Sequence, residues 1–163
     1  MPRVALVIVV AFILAASAAA AAVGETVFRG PGIALRTPSG WFANNKPLTG
    51  ITDPVQRFVL SSYRIPASAD AGNGYVPSSR GVVAQLEEEV FPSACACWRP
   101  RPQHFALPRL GRMETLDGNR WGELLFSERG RHFYIFIWVG RGASSAKVRL
   151  LLRTLDGMTI TAA

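Results

Sequence analysis

Hydrophobic and polar positions alternate most regularly between Trp121 and Gly140. Within it, the run His132 to Val139 is dominated by β-branched and aromatic residues, which suit a pleated surface. Side chains alternate between the two faces of a strand. One face carries Phe133, Ile135, Ile137 and Val139, and the other carries His132, Tyr134, Phe136 and Trp138. Both faces are apolar, so the pattern predicts an interior strand covered on both sides. The preceding run, Trp121 to Ser127, pairs with it as a hairpin, with Glu128 and Arg131 flanking an Arg129-Gly130 turn. Placing Ser127 opposite His132 sets Phe126 against Phe133 and Leu124 against Ile135. The opposite face then collects Trp121, Glu123, Leu125, Tyr134, Phe136 and Trp138. That face is open to two readings: a second layer of core, or a ligand platform built on Trp121, Glu123, Tyr134 and Trp138.

Elsewhere the pattern is shorter. Val27 to Thr37 reads as a strand bent or interrupted at Gly30-Pro31-Gly32, and Arg57 to Ile65 as a strand ending at Pro66. Phe42 to Pro54 and Ala67 to Ser79 read as loops. From a cap at Ser78 or Ser79, the spacing of Val82, Val83, Leu86 and Val90 predicts a helix, with Glu87, Glu88 and Glu89 solvated or paired near its end. Arg109 to Leu116 reads as a further strand. A second helix runs from Ser144 or Ser145 to Asp156 on a stripe of Val148, Leu151, Leu152 and Leu155, with Gly157 as its cap. The stripe is expected to pack on the aliphatic face of the hairpin, and Met158-Thr159-Ile160 to add a short edge strand. The fold class expected is α+β: an antiparallel β-sheet of five or six strands packed with two main α-helices.

The N-terminus changes the picture. Met1-Pro2-Arg3, the apolar run Val4 to Ala16 and the Ala-rich Ser17 to Ala22 have the layout of a secretory signal peptide. The expected organisation is a leader over 1–22 and a single globular domain over 23–163. The alternative is an uncleaved anchor over residues 4–23, long enough to span a bilayer. The expected location is secreted or extracytoplasmic. The whole chain of 163 residues carries a formal charge of +7, and 16 of its 18 basic residues are Arg, Lys46 and Lys147 being the exceptions. Arg outside a cell favours polyanions. The candidate partner is therefore an anionic envelope polymer or headgroup, although the Arg residues are scattered. Nothing points to specific nucleic-acid binding, and a membrane enters only through the leader.

Candidate chemistry is sparse. Cys95 and Cys97 are the only cysteines. Three readings stay open: a disulfide, expected in an oxidising compartment but tight at this spacing; two thiols; or a redox or soft-metal site, with His104 as a third ligand for copper(I) or zinc. Two histidines, His104 and His132, limit general-base chemistry, and His132 reads as a surface or hairpin residue. Glu114, Asp117 and Glu123 are the acids open to a glycosidase-like pairing, but nothing selects them. No catalytic residue is assigned and no cofactor is called for.

Two stretches carry a resemblance. Thr37-Pro38-Ser39-Gly40-Trp41 after a strand, and the closing helix with Leu155-Asp156-Gly157-Met158, are similar to the PsbP-like fold group. The chain also looks, more loosely, like small secreted actinobacterial proteins of unknown function, which implies a bacterial source. The resemblance implies an antiparallel sheet with helices around it and an accessory, non-catalytic role; it supplies no site residue. The expected function is an exported non-catalytic binding or accessory domain. The alternatives are an extracytoplasmic thiol-redox or soft-metal protein using Cys95 and Cys97, or an unrecognised hydrolase.

Overall fold

The computed structural model describes residues 25–48, 53–66, 69, 78–91, 97–107, 114–116 and 118–162. The leader and Cys95 lie outside them. Among the described residues there are nine strands and one helix. A six-stranded antiparallel sheet has the order β3 (Phe42–Asn44), β4 (Val55–Ser61), β5 (Val82–Glu89), β8 (Arg131–Val139), β7 (Asn119–Glu128), β6 (Glu114–Leu116). A three-stranded antiparallel sheet has the order β1 (Thr26–Gly30), β2 (Ile33–Thr37), β9 (Thr159–Ile160). The helix, α1 (Ser145–Asp156), packs against β5 and β2.

The protein is therefore mostly β, not an α+β fold with two main helices. The segment read as the first helix is β5, the strand between β4 and β8. Its Val82, Val83 and Leu86 fit a helical stripe, but they fit a strand buried on both faces as well. All of Val82 to Glu88 is buried. Of the acid triplet, Glu87 and Glu88 are buried and Glu89 is half-buried, and the alternative of pairing with Arg from a neighbouring segment holds for Glu88, against Arg57 and Arg131.

The β7–β8 hairpin has the register its pattern predicts: Ser127 opposite His132, Phe126 opposite Phe133, Leu124 opposite Ile135. Arg129 (φ 54°) and Gly130 (φ 76°) both take the left-handed conformation, as a two-residue hairpin turn requires. The aliphatic face of the sheet forms one core with the second layer. Phe58, Leu60, Ala84, Leu86, Phe126, Phe133, Ile135 and Ile137 join Ile33 and Leu35 of β2, Leu151 and Leu155 of α1, and Ile160 of β9. Helix α1 starts at Ser144, whose side chain accepts the Lys147 N–H. At its other end Arg101 donates to the carbonyls of Leu155, Asp156 and Met158 at 2.8–3.1 Å, placing a cation where the helix dipole is negative.

A buried ion cluster joins the two layers. A bulge in β4 at Arg57 interrupts its register with β5 and leaves Arg57 beside Glu88. Arg131 donates from Nε and Nη2 to the two carboxylate oxygens of Glu88 at 2.7 and 2.5 Å. Its remaining donors reach the carbonyls of Pro31, Gly32 and Thr161 at 3.1–3.2 Å. Gly32 sits at φ 66° in the β1–β2 turn, with Arg131 packed where a side chain would project. Burial raises the Glu88 pKa, but the hydrogen bonds and charges of Arg131 and Arg57 more than offset it, so its carboxyl titrates below the ordinary range. Arg131→Met should cost roughly 3 kcal/mol, the low end for a broken buried pair, because it removes the bidentate partner of a buried carboxylate while Arg57 still bonds Glu88. Arg57→Met should cost less, since Arg57 is more exposed. Denaturant midpoints measure both. A depressed carboxylate pKa means stability that is present above the ordinary pKa and lost as pH falls through the folded one, so the gap between wild type and Arg131→Met should narrow in acid.

Candidate functional site

The opposite face of the six-stranded sheet follows from strand alternation. Across β8, His132 lies beside Glu89 and Ser127, Tyr134 beside Glu87 and Leu125, Phe136 beside Gln85 and Glu123, and Trp138 beside Val83 and Trp121. The rings run in a ladder along β8. Tyr134 and Phe136 have centroids 6.4 Å apart and near-parallel planes, and Phe136 and Trp138 are 5.9 Å apart. Trp98 adds the top rung, stacked on His132 at 4.7 Å and edge-on to Tyr134 at 5.1 Å.

Trp98 is carried there by the segment Arg99-Pro100-Arg101. Pro100 has no N–H, so pairing falls to its neighbours: Ser127 N donates to Arg99 O at 2.7 Å, and Arg101 N donates to Ser127 O at 3.1 Å. Arg101 is anchored further by Glu128 at 3.0 Å. Cys97, immediately before Trp98, is disulfide-bonded.

The face is partly covered. Leu48 and Ala69 pack on Val59, Val83 and Trp138 at the β4 side. Trp121, Tyr134, Phe136 and Trp138 remain half-buried and Glu123 is exposed. The helix that would have sealed this face does not exist, because its residues are β5. The four residues of the predicted platform, Trp121, Glu123, Tyr134 and Trp138, are thus brought onto one surface.

The electrostatics of this surface are acidic. Glu87 is buried and accepts from Gln85 Nε2 at 2.6 Å. Burial raises its carboxyl pKa, and the Gln85 hydrogen bond only partly opposes that. The Tyr134 phenol is also raised, first by burial and then by the negative charges of Glu89, Glu123, Asp53 and Glu87. Trp98 Nε1 and His132 Nδ1 are buried without a hydrogen-bond partner.

The other sequence candidates lie elsewhere. His104 is exposed, with Nδ1 3.3 Å from Asp156 Oδ2 at the end of α1. Cys95 and Asp117 lie outside the described residues, as does the side chain of Glu114. Among the described residues no three of His, Cys, Asp and Glu are grouped to hold a metal ion. Sequence reasoning missed Gln85, Glu87, Glu89 and Trp98. Reading 82–89 with period two would have put the first three on the aromatic face; no local signal places Trp98 over His132.

The comparisons add no relative: no family model matches the chain, and neither a curated protein nor a solved structure is significantly similar to it. Nothing in them bears on the PsbP-like resemblance.

The raised carboxyl of Glu87 has a consequence that can be measured. As pH rises from the ordinary carboxylate range through the folded pKa, ionisation of a buried acid removes stability. Glu87→Gln removes the ionisation and keeps an acceptor for Gln85. Its denaturation midpoint should therefore gain on wild type as pH rises above the ordinary carboxylate value of about 4 and through the higher folded one. A constant difference across that range would show that Glu87 ionises as it does in the unfolded chain.

Proposed function

We propose that the protein is an exported, non-catalytic binding or accessory domain, and that its ligand lies on the aromatic face of the six-stranded sheet. The observation that carries this is the half-buried ladder of Tyr134, Phe136 and Trp138, flanked by Trp121 and the exposed Glu123. Rings held in register by a strand offer a large, rigid contact area at little entropic cost. Such a surface grips flat or ring-shaped groups. The signal-like leader and the disulfide at Cys97 support export, since disulfides persist in oxidising compartments. The small number of histidines and the absence of an aligned nucleophile motif in the sequence support a role without turnover.

The test uses residues 23–163 and a panel of soluble envelope polysaccharides, with calorimetry as the readout. At least one glycan class should bind saturably, and Tyr134→Ala and Trp138→Ala should each weaken it about tenfold while circular dichroism stays unchanged. Binding that is indifferent to both substitutions would remove the face from the site. Turnover in a broad hydrolase screen would overturn the non-catalytic half of the reading.

A further inference from the structure

The small sheet contributes one face to the core. Alternation along its strands turns Phe28, Ile33, Leu35 and Ile160 inward, where Phe28 meets Phe58 with ring centroids 5.9 Å apart. Its outer face carries Val27 and Arg29 of β1, Ala34 and Arg36 of β2, and Thr159 of β9. Across the strands Val27 lies beside Arg36, and Arg29 beside Ala34, which lies beside Thr159. Val27, Arg29, Arg36 and Thr159 are exposed. These five residues and Gly157, just after α1, line a shallow cavity of about 220 Å³. A second hollow of about 210 Å³ shares Arg36 and Gly157 and carries the surface onto the last turn of α1, at Leu150, Arg153 and Thr154. Arg149 is also exposed and lies one turn earlier on the same side of the helix.

This surface is cationic. The two linings hold Arg29, Arg36 and Arg153 against one acid, Glu25. Glu25 lies 3.6 Å from Arg36 with both side chains exposed, a pairing of little strength. Among the described residues Arg29, Arg149 and Arg153 have no ion-pair partner. Asp156, beside Gly157, is engaged by Phe105 N at 2.7 Å. Val27, a large apolar side chain left exposed, stands among the cations. Arginines around an exposed aliphatic suit a surface that is anionic outside and apolar beneath, and a guanidinium takes a phosphate in two-pronged fashion. The chain also leads there: the apolar run at 4–23 ends three residues before Thr26 opens β1, so an uncleaved anchor would hold β1 within roughly 10 Å of the bilayer surface.

We propose that the outer face of the small sheet docks on a bilayer surface containing anionic phospholipid, with headgroup phosphates on Arg29, Arg36 and Arg153 and Val27 entering between the headgroups. This surface is separate from the aromatic face, and its variants touch no residue of that face.

The test uses residues 23–163, which keep the leader out of the assay; both apolar clusters of the fold lie between Phe28 and Ile160. Vesicles of phosphatidylglycerol and phosphatidylcholine in equal parts should sediment the protein, vesicles of phosphatidylcholine alone should not, and about 0.5 M salt should release it. Arg29→Gln, Arg36→Gln and Arg153→Gln should each weaken binding about fivefold, and the triple variant about a hundredfold. The three positions are exposed, so the variants should fold, as circular dichroism can verify. A charge-matched control, Arg64→Gln with Arg120→Gln, and the aromatic-face variant Trp138→Ala should bind as wild type does. Val27→Trp should bind at least as well and shift its added emission to the blue on the mixed vesicles. No sedimentation with the mixed vesicles, equal sedimentation with the neutral ones, or a triple variant no weaker than the control would overturn the proposal. Loss of binding in Trp138→Ala would transfer it to the aromatic face. Capture by soluble polyphosphate without vesicle sedimentation would assign the arginines to a soluble polyanion and overturn the membrane reading.

Discussion

Arg131 and Glu88 are both more than nine-tenths buried, and most of the architecture follows from how that burial is made tolerable. Removing two ions from water costs several kcal/mol for each, and their attraction offsets this only when geometry is good and every remaining donor is used. Here the carboxylate takes a bidentate pair from Arg131 and a further bond from Arg57. The donors of Arg131 that remain are spent on three backbone carbonyls, at Pro31, Gly32 and Thr161. Two of those belong to the β1–β2 turn and one to the chain just after β9. A guanidinium fork suits this; the three donors of a lysine radiate from a single nitrogen and cannot span acceptors spread around a planar fork. The cluster therefore pins the small sheet to the large one at a defined position, and the core between them closes in one arrangement.

The same cluster sets the character of the opposite face. Adjacent residues of a strand point to opposite sides. Once Glu88 is drawn inward to Arg131 and Arg57, Glu87 and Glu89 must point the other way, alongside Tyr134 and His132. The Tyr134 phenol is raised first by burial, and the share that Glu87 and Glu89 add to it is a by-product of how the layers are joined. The aromatic ladder is tied to the core in a similar way. Phe133, Ile135 and Ile137 are fully buried, so the rings between them are held in a row whether or not anything binds.

How much of this could be read from the chain depended on the range of the interactions. The β7–β8 hairpin was legible because period-two alternation and a two-residue turn are both local, and together they specify register. Helix α1 was legible for the same reason, as its cap and its Leu stripe lie within one segment. β5 was not. Val82, Val83, Leu86 and Val90 satisfy a helical spacing, and three consecutive glutamates look like a solvated end. What makes the segment a strand is distant: β4 and β8 both need a partner, and Arg57 and Arg131 give Glu88 an interior destination. The four platform residues could be grouped from alternation alone. Trp98 could not, because its place over His132 depends on Ser127 bonding to Arg99 and Arg101, which lie 26 or more positions earlier in the chain.

This bears on the excess of arginine. Outside a cell it invites a reading in terms of polyanions, yet three arginines are occupied within the fold. Arg131 and Arg57 serve Glu88, and Arg101 closes the end of α1 on three carbonyls while pairing with Glu128. Their charge cannot be counted as surface available to a polymer. The sheet face with the richest contact area carries acids instead, and a long polyanion laid across it would meet Glu123. Trp138, which ends the ladder, also packs on the apolar cluster of Leu48, Val59, Ala69 and Val83, so the ring surface is covered at its β4 side.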